Sequence, residues 1–371
     1  MKRVLLVKGA DICYGGVSVL LYQLMKAMDR SELQVDLYTY GGIDAKDLYD
    51  QYCDIGVNII LGGHPDYNPK EIAADLNRLL RETRYDAVHS NTGRLQMTAV
   101  AMGVAFLHRV PLRIAHSHNT NPSGNTHYGV RSRLYQAANT LLSNCKLGCS
   151  VAASEHLFGK RGARRSSVLK NAIDTPKYIY DPALKRAMRE RLGIPQDALV
   201  VGHVGRFAPQ KNHDFLLDVF AEVLQREPRA HLMLVGSGNL LEQCQEKAER
   251  LGIAPHVTFA GTSTSVWEFY QAMDVFVFPS TYEGLGIVAV EAQACGLPVV
   301  CADTVPPEAQ VTAAFEQLSL QDPPARWSEA VLAAARANTD RGDCSEQVRA
   351  AGYDIGDSAE RLRRIYLGAR K

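Results

Sequence analysis
The chain has 371 residues, 46% apolar and 22% charged, with a net charge of +1. That suffices for two soluble domains with sizeable cores, while its longest apolar runs, such as MTAVAMGVAFL (97–107), are too short to span a bilayer. The eight cysteines (Cys13, Cys53, Cys145, Cys149, Cys244, Cys295, Cys301, Cys344) form no Cys-x-x-Cys pair, which speaks against zinc and for reduced core thiols in a cytoplasmic setting.

The N-terminus MKRVLLVKGADICYGG has basic residues before a short apolar run. The run is too brief for a secretory leader and is followed by no small-residue cleavage site, so RVLLV reads as a buried first strand. VSVLLYQLMKAMD then has helical apolar spacing, LQVDLYTY alternates as a strand, and PKEIAADLNRLLRETR is an amphipathic helix with Pro at its start. The strand DAVHS follows, then a helix from about Leu95 to His108, the strand LRIAHS, a helix from about Arg133 to Asn144 and a strand LGCSVAAS. A second cycle begins after SSVLKNAIDTP. Its strands are LVVGHVG, HLMLVG, HVTFAG, DVFVFPS and PVVCA, with helices near 213–225, 240–251, 265–272 and 287–295. Alternating strand and helix predict an α/β chain of two doubly wound domains, each a parallel sheet covered on both faces. The expected domains are 1–168 and 169–354, with the last amphipathic helix, about 355–371, open to packing back on the first. Ligands of such sheets bind at the carboxyl ends of the strands, so two facing sheets suggest a ligand in the cleft between them.

Charge is unevenly spread. Residues 90–170 hold eleven Lys/Arg (Arg94, Arg109, Arg113, Arg131, Arg133, Lys146, Lys160, Arg161, Arg164, Arg165, Lys170) and one acid, Glu155. The segment favours an anionic partner, either a membrane surface or a phosphorylated substrate. Nucleic acid is disfavoured because stacking aromatics are sparse (Phe106, Tyr128, Tyr135, Phe158). A merely solvated basic face is the alternative.

The loops after the second set of strands carry the chemistry. In VGHVGRFAPQKNHDFLL, Arg206 and Lys211 follow a strand and precede a helix N-terminus, a good phosphate site or else ordinary solvated cations. In LVGSGNL, Gly236 lets the backbone approach a ligand or simply turn. In FAGTSTSVWEF, Gly261 and Thr262 could read a nucleobase edge, or Thr262, Ser263 or Thr264 could cap a helix. STYEGLGIVAVEAQACGLPVV puts Glu283 in a loop, with Gly284, Leu285 and Gly286 presenting backbone N–H groups at a helix start. Glu291 then falls inside that apolar helix, where a carboxylate needs hydrogen-bond partners. Ligand hydroxyls would serve, a ribose for Glu291 and a hexose for Glu283, or a structural pairing with a buried Arg or backbone group.

In the first half, GADICYGGVSVLL lacks the Gly-x-Gly-x-x-Gly spacing, and no acid stands at the tip of the second strand, so a dinucleotide cofactor is disfavoured. Gly15 and Gly16 open a helix and could approach a phosphate or an acceptor. IAHSHNTNPSGNTHYG ends a strand with His116 and His118 before a loop rich in Asn and Gly. No acid or Cys cluster lies beside these two, so a substrate contact by His118 is favoured over a metal site.

From VLKNAID through GRFAPQKN, LVGSG and FAG to the Glu-x7-Glu stretch with GLPVV, the chain resembles retaining GT-B glycosyltransferases of family 4 over nearly its full length. In character it is nearest to bacterial exopolysaccharide and capsule enzymes. The resemblance implies that Arg206 and Lys211 neutralise the donor diphosphate, that Glu291 binds the nucleotide ribose and that Glu283 contacts the donor sugar. Leu285 and Gly286 would give backbone contacts, with His118 near the sugar and Gly16 in the glycine-rich loop beneath it. Many relatives have Phe where this chain has Leu285, which leaves the sugar preference open. The implied reaction moves a hexose or N-acetylhexosamine from a nucleotide sugar, UDP-linked with guanine as the alternative base, to a saccharide or lipid-diphosphate-linked saccharide. Retention by same-face attack is implied, with domain closure about a hinge near Lys170 and Asn171. Cations in place of a metal, and no Asp-x-Asp anywhere, predict an enzyme without metal or resident cofactor, peripheral at most on the inner membrane face. The competing readings are a non-catalytic nucleotide-sugar-binding scaffold subunit and a sugar-nucleotide epimerase.

Overall fold
The computed structural model describes residues 1–9, 11–64, 68–119, 129–337 and 341–368. It divides into two units, Met1–Ile173 with Asp354–Lys371, and Asp174–Tyr353. Residues 169–173 go with the first unit because Leu169, Ala172 and Ile173 are buried, the first two in its core.

The first unit is a seven-stranded parallel sheet of β1 (Lys2–Lys8), β2 (Leu33–Thr39), β3 (Asn58–Leu61), β4 (Ala87–Asn91), β5 (Leu112–Ser117), β6 (Cys145–Gly148) and β7 (Ser167–Val168), in the order β3-β2-β1-β4-β5-β6-β7. β1 shows why the sequence reads as an unbroken apolar run. Val4 and Leu6 join a core with Leu21, Leu24 and Met25, while Leu5 and Val7 join another with Ile72, Leu76 and Met102. A strand buried on both faces has no polar side to show. The last helix, Ile355–Leu367, belongs to this unit. Its Ile355, Ala359, Leu362 and Tyr366 recur at one helical face and enter the core of Val4 and Leu6. Its start is fixed by the Ile355 N–H donating to the Ile173 carbonyl (2.9 Å) and by the Asp354 carboxylate accepting from Asp357 N–H (3.1 Å).

The second unit repeats the topology with β8 (Leu199–Val204), β9 (Ala230–Val235), β10 (Val257–Phe259), β11 (Val275–Phe278), β12 (Val299–Ala302) and β13 (Phe315–Leu318), all parallel, in the order β10-β9-β8-β11-β12-β13. Helix His213–Arg226 buries Leu216, Leu217, Phe220 and Val223 against Val201, Val277 and Trp327. Trp327 is wholly buried and spends its only donor on the Ser319 carbonyl (3.0 Å).

The expected strand LGCSVAAS is not one. The strand β6 stops at Gly148, and the Ser150 hydroxyl accepts from Ala153 N–H (3.1 Å), capping a helix Val151–Ala163. Helices Lys46–Asp54, Pro182–Leu192 and Pro324–Ala337 and strands β3, β7 and β13 were also unforeseen. Of the cysteines, Cys149, Cys244, Cys295 and Cys301 are buried, but Cys53 is exposed and the rest are half-buried, so the thiols are not uniformly core. Among the described residues no helix is long and apolar enough to cross a membrane.

Candidate active site
Each sheet reverses its strand order beside its first strand, between β1 and β4 and between β8 and β11. Open parallel sheets take ligands at the carboxyl ends of the strands flanking such a reversal.

In the second unit four loops meet there. Phe207 N–H donates to the Ser237 carbonyl (2.9 Å) and Leu240 N–H to the Phe207 carbonyl (3.1 Å), locking the loops after β8 and β9. Gly236 N–H donates to the Gly261 carbonyl (2.8 Å), adding the loop after β10, and Thr281 N–H donates to the Gln210 carbonyl (2.8 Å), adding the loop after β11. Gly236 is obligatory: at φ +145°, a Cβ there would lie 2.1 Å from the Gly205 oxygen. Thr262 is exposed and caps no helix among the described residues. The turn before helix Val266–Ala272 is held instead by Ser265 N–H donating to the Ser263 hydroxyl (3.0 Å).

The two cations of the β8 loop differ. Lys211 is largely buried and its ammonium donates to Glu283 Oε1 at 2.7 Å, 4.7 Å from the centre of the Phe278 ring. Arg206 is exposed and makes no ion pair or side-chain hydrogen bond among the described residues. Lys211 and Glu283 thus hold each other in place, while Arg206 stands ready for an anion.

Beyond Glu283 the chain turns at Gly286, whose φ of +81° and contact with the Phe278 ring (2.9 Å from a Cβ built there) again require glycine. Leu285 is 3% exposed, so it anchors the turn from within. Helix Ile287–Ala294 carries Glu291. Its Oε2 accepts from the Tyr270 hydroxyl at 2.7 Å and its Oε1 from the Tyr178 hydroxyl at 3.1 Å. Burial raises the Glu291 pKa, and the two tyrosines and Lys211 oppose the rise. The sequence offered an arginine or backbone partner as the structural alternative; the partners are tyrosines. An arginine acts one step further out. Arg341 donates to the carbonyls of Tyr270 (3.1 Å) and Met273 (2.9 Å) and to the carbonyl of Cys295 (2.9 Å), so one guanidinium ties the ends of the helices that bear Tyr270 and Glu291. These three residues were missed. Tyr178 and Tyr270 stand 113 and 21 positions from Glu291, separations that no local motif encodes.

The opposite edge of the sheet shows what structural charge looks like. Asp274 is held by Arg189 (2.7 Å), Lys185 (2.7 Å) and the Val200 N–H (2.8 Å), a closed network around one carboxylate with a lowered pKa.

In the first unit, Gly15 is an extended N-cap and Gly16 the first residue of helix Gly16–Ala27, which has neither a side-chain cap nor an acid in its first turn. A Cβ on Gly16 would meet nothing within 4 Å. His118 follows β5. Its Nε2 lies 2.8 Å from Asn91 Oδ1, and its Nδ1 lies 3.0 Å from Asn171 Oδ1. Asn91 donates its NH2 to the His89 carbonyl (3.3 Å), which turns its oxygen toward His118. Both partners are amide oxygens, so the single N–H of the neutral ring donates either from Nδ1 to Asn171 Oδ1 or from Nε2 to Asn91 Oδ1. Burial lowers the His118 pKa to about 4, so the ring is neutral at pH 7. His116 stacks on His89 with centroids 5.4 Å apart, and His89 contacts the Tyr366 hydroxyl of the last helix (2.7 Å). The Asn- and Gly-rich segment after His118, with Tyr128, lies outside the described residues at 120–128.

The chain resembles known proteins in sequence and in fold. The family described as Glycosyltransferase Family 4 matches residues 14–177, and that described as Glycosyl transferases group 1 matches residues 185–352. The chain is 32% identical over 366 residues to "Putative glycosyltransferase EpsF" of Bacillus subtilis (strain 168), covering 95% of this chain and 93% of that one. It is 30% identical over 324 residues to D-inositol 3-phosphate glycosyltransferase 2 of Catenulispora acidiphila, covering 78% and 74%. Among solved structures, Anabaena Alr3699/HepE in complex with UDP-glucose superposes with a TM-score of 0.77 at 18% identity, over 98% of this chain and 99% of that one. WaaG, a glycosyltransferase involved in lipopolysaccharide biosynthesis, gives 0.76 at 17% over 99% and 100%. With both halves matched and a relative aligned nearly end to end, the chain belongs to the GT-B glycosyltransferases, a family 4 domain followed by a group 1 domain.

Proposed function
We propose that the chain is a retaining hexosyltransferase that takes a sugar from a UDP-sugar and passes it to a saccharide or lipid-diphosphate-linked saccharide in exopolysaccharide or capsule assembly. The observation that carries this is the juxtaposition of Arg206, the Lys211–Glu283 pair and the tyrosine-held Glu291 around one strand-order reversal. An exposed cation and a paired one suit a diphosphate. A carboxylate with two fixed donors keeps lone pairs for ribose hydroxyls. The solved neighbour holding UDP-glucose and the relative named EpsF support the donor base and the pathway.

Cleavage of the bond from sugar to diphosphate builds negative charge on the leaving oxygens. Arg206, Lys211 and the backbone N–H groups from Gly284 to Gly286 would receive that charge, and no metal or resident cofactor is needed for the step. Glu283 takes the sugar hydroxyls while Lys211 holds it. His118 stands beside the sugar as a neutral ring whose two nitrogens are held by Asn91 and Asn171. Gly15 and Gly16 leave room for a phosphate or acceptor. The acceptor hydroxyl attacks the face that the diphosphate leaves, assisted by a departing phosphate oxygen as base.

The test is turnover of a panel of UDP- and GDP-sugars with and without EDTA, the product anomer being read by proton NMR. Transfer or slow hydrolysis of a UDP-sugar with retention, insensitive to EDTA, is the expected result. An inverted product, or activity abolished by EDTA and restored by a divalent cation, would overturn the mechanism.

A further inference from the structure
Helix Val130–Leu142 of the first unit is built inside out. Its inward side is polar: Gln136 donates to the His156 carbonyl (2.9 Å), Asn139 to the Leu95 carbonyl (3.1 Å) and Thr140 to the Phe158 carbonyl (3.1 Å). Its outward side is apolar. Val130 is 76%, Leu134 63% and Leu141 80% exposed, with Ala137 exposed between them. The four recur at i, i+4, i+7 and i+11, a single stripe along a helix. Scattered exposed apolar residues are ordinary, but a continuous stripe implies that something covers it.

The surroundings indicate what. Arg131 and Arg133 are exposed on either side of the stripe, by their angular positions on the helix. Helix Val151–Ala163, packed beside it, exposes Val151, Lys160 and Arg161, and Arg164 and Arg165 follow, also exposed. From 129 to 170 the one acid is Glu155. An apolar stripe rimmed by cations and almost free of acids complements an anionic lipid surface, whose acyl boundary takes the first and whose phosphates take the second. A second copy of the chain fits poorly, because the same face would present the same positive charge to itself.

We propose that this face docks on an anionic bilayer, with the stripe of Val130, Leu134, Ala137 and Leu141 entering the headgroup region and the arginines engaging lipid phosphates. The proposal goes beyond the donor-site reading and does not depend on it, since docking requires no nucleotide.

The test is co-sedimentation of the full chain with vesicles of phosphatidylcholine alone and of phosphatidylcholine mixed with phosphatidylglycerol, at low and high salt. Wild type is expected to sediment with the anionic vesicles and to be released by salt. Replacing both Arg131 and Arg133 by Gln should weaken binding by about fivefold per cation, about 25-fold together. The double variant Leu134→Ser, Leu141→Ser should lose binding at every salt concentration while keeping its melting temperature and any nucleotide-induced shift. No binding of wild type to anionic vesicles at low salt, or both double variants binding as wild type does, would overturn the proposal. So would a wild-type dimer in sedimentation equilibrium that the leucine variant dissociates, which would assign the stripe to a second copy.

Discussion
The two units share one strand order and differ in what stands on the carboxyl edge of the sheet. In the first, the edge is rich in imidazoles and amides: His89 stacks on His116, His116 lies tilted against His118, and Asn91 and Asn171 hold the last. A buried Lys8 there turns onto the Gly9 and Asp11 carbonyls. In the second it holds charge: an exposed Arg206, the Lys211–Glu283 pair and Glu291 between two phenols. Topology therefore says where a ligand goes, and the side chains at the strand ends say which ligand. An edge of ion pairs suits a diphosphate, and an edge rich in imidazoles and amides suits hydroxyls.

The largest expected effect separates the two cations of the charged edge. Lys211→Ala should lower kcat by about 100- to 1,000-fold. It should also lower the melting temperature, because losing one partner of a mostly buried pair costs about 3 kcal/mol. Arg206→Ala should cost a similar factor in activity with the melting temperature unchanged, since its exposed side chain makes no ion pair or hydrogen bond among the described residues. Equal melting shifts for the two, read by differential scanning fluorimetry, would remove the distinction between a paired and a waiting cation. Tyr270→Phe should come next, weakening nucleotide affinity by about tenfold through loss of one charge-assisted hydrogen bond to Glu291. Tyr178→Phe, with its longer contact, should do less. Calorimetric titration orders the two, and the reverse order would count against Oε2 as the anchored oxygen.

The smallest effect probes the imidazole-rich edge. Burial depresses His89 to about 3 and His118 to about 4, against an ordinary 6.5. Below 6.5 the unfolded chain takes up protons that the folded one refuses, so stability is complete above that pH and is lost as pH falls toward 4. His203, His213 and His231 of the second unit are depressed by burial in the same sense and add to the slope. His118→Gln should flatten the curve by up to one proton, about 1.4 kcal/mol per pH unit, in urea titrations between pH 4 and 6.5. An unchanged slope would mean that His118 is not held neutral by the fold.

Much of this was legible in the sequence where a local rule applied. The Glu-x7-Glu stretch carries its own turn glycine and helix start, and the apolar runs of β1, β8 and β11 announce strands buried on both faces. The last helix was legible from its period, with packing back on the first domain left open. What escaped depends on distant partners or on competing local signals. Nothing near Glu291 points to Tyr178 or Tyr270, and Arg341 acts through carbonyls, which leave no mark on composition. Residues 147–154 read as a strand because Val151 and the alanines around it suit either period, yet the cap at Ser150 decides for helix. The start and stop of helix Pro182–Leu192 were in plain view, with Asp181 capping, Pro182 at the first position and Gly193 left-handed after the end. That helix went unread because its spacing is mostly charged rather than apolar.

The central claim is that Glu291 and its neighbours bind a nucleotide sugar. It is tested most directly by thermal-shift and calorimetric titration of UDP, GDP and ADP, free and sugar-linked, on wild type and on Glu291→Ala. The account predicts that uridine nucleotides stabilise the wild type and that the variant, still folded, loses at least about 100-fold in affinity as two charge-assisted hydrogen bonds to ribose vanish. Folded wild type that binds no nucleotide, or a variant that binds as tightly as the wild type, would contradict it.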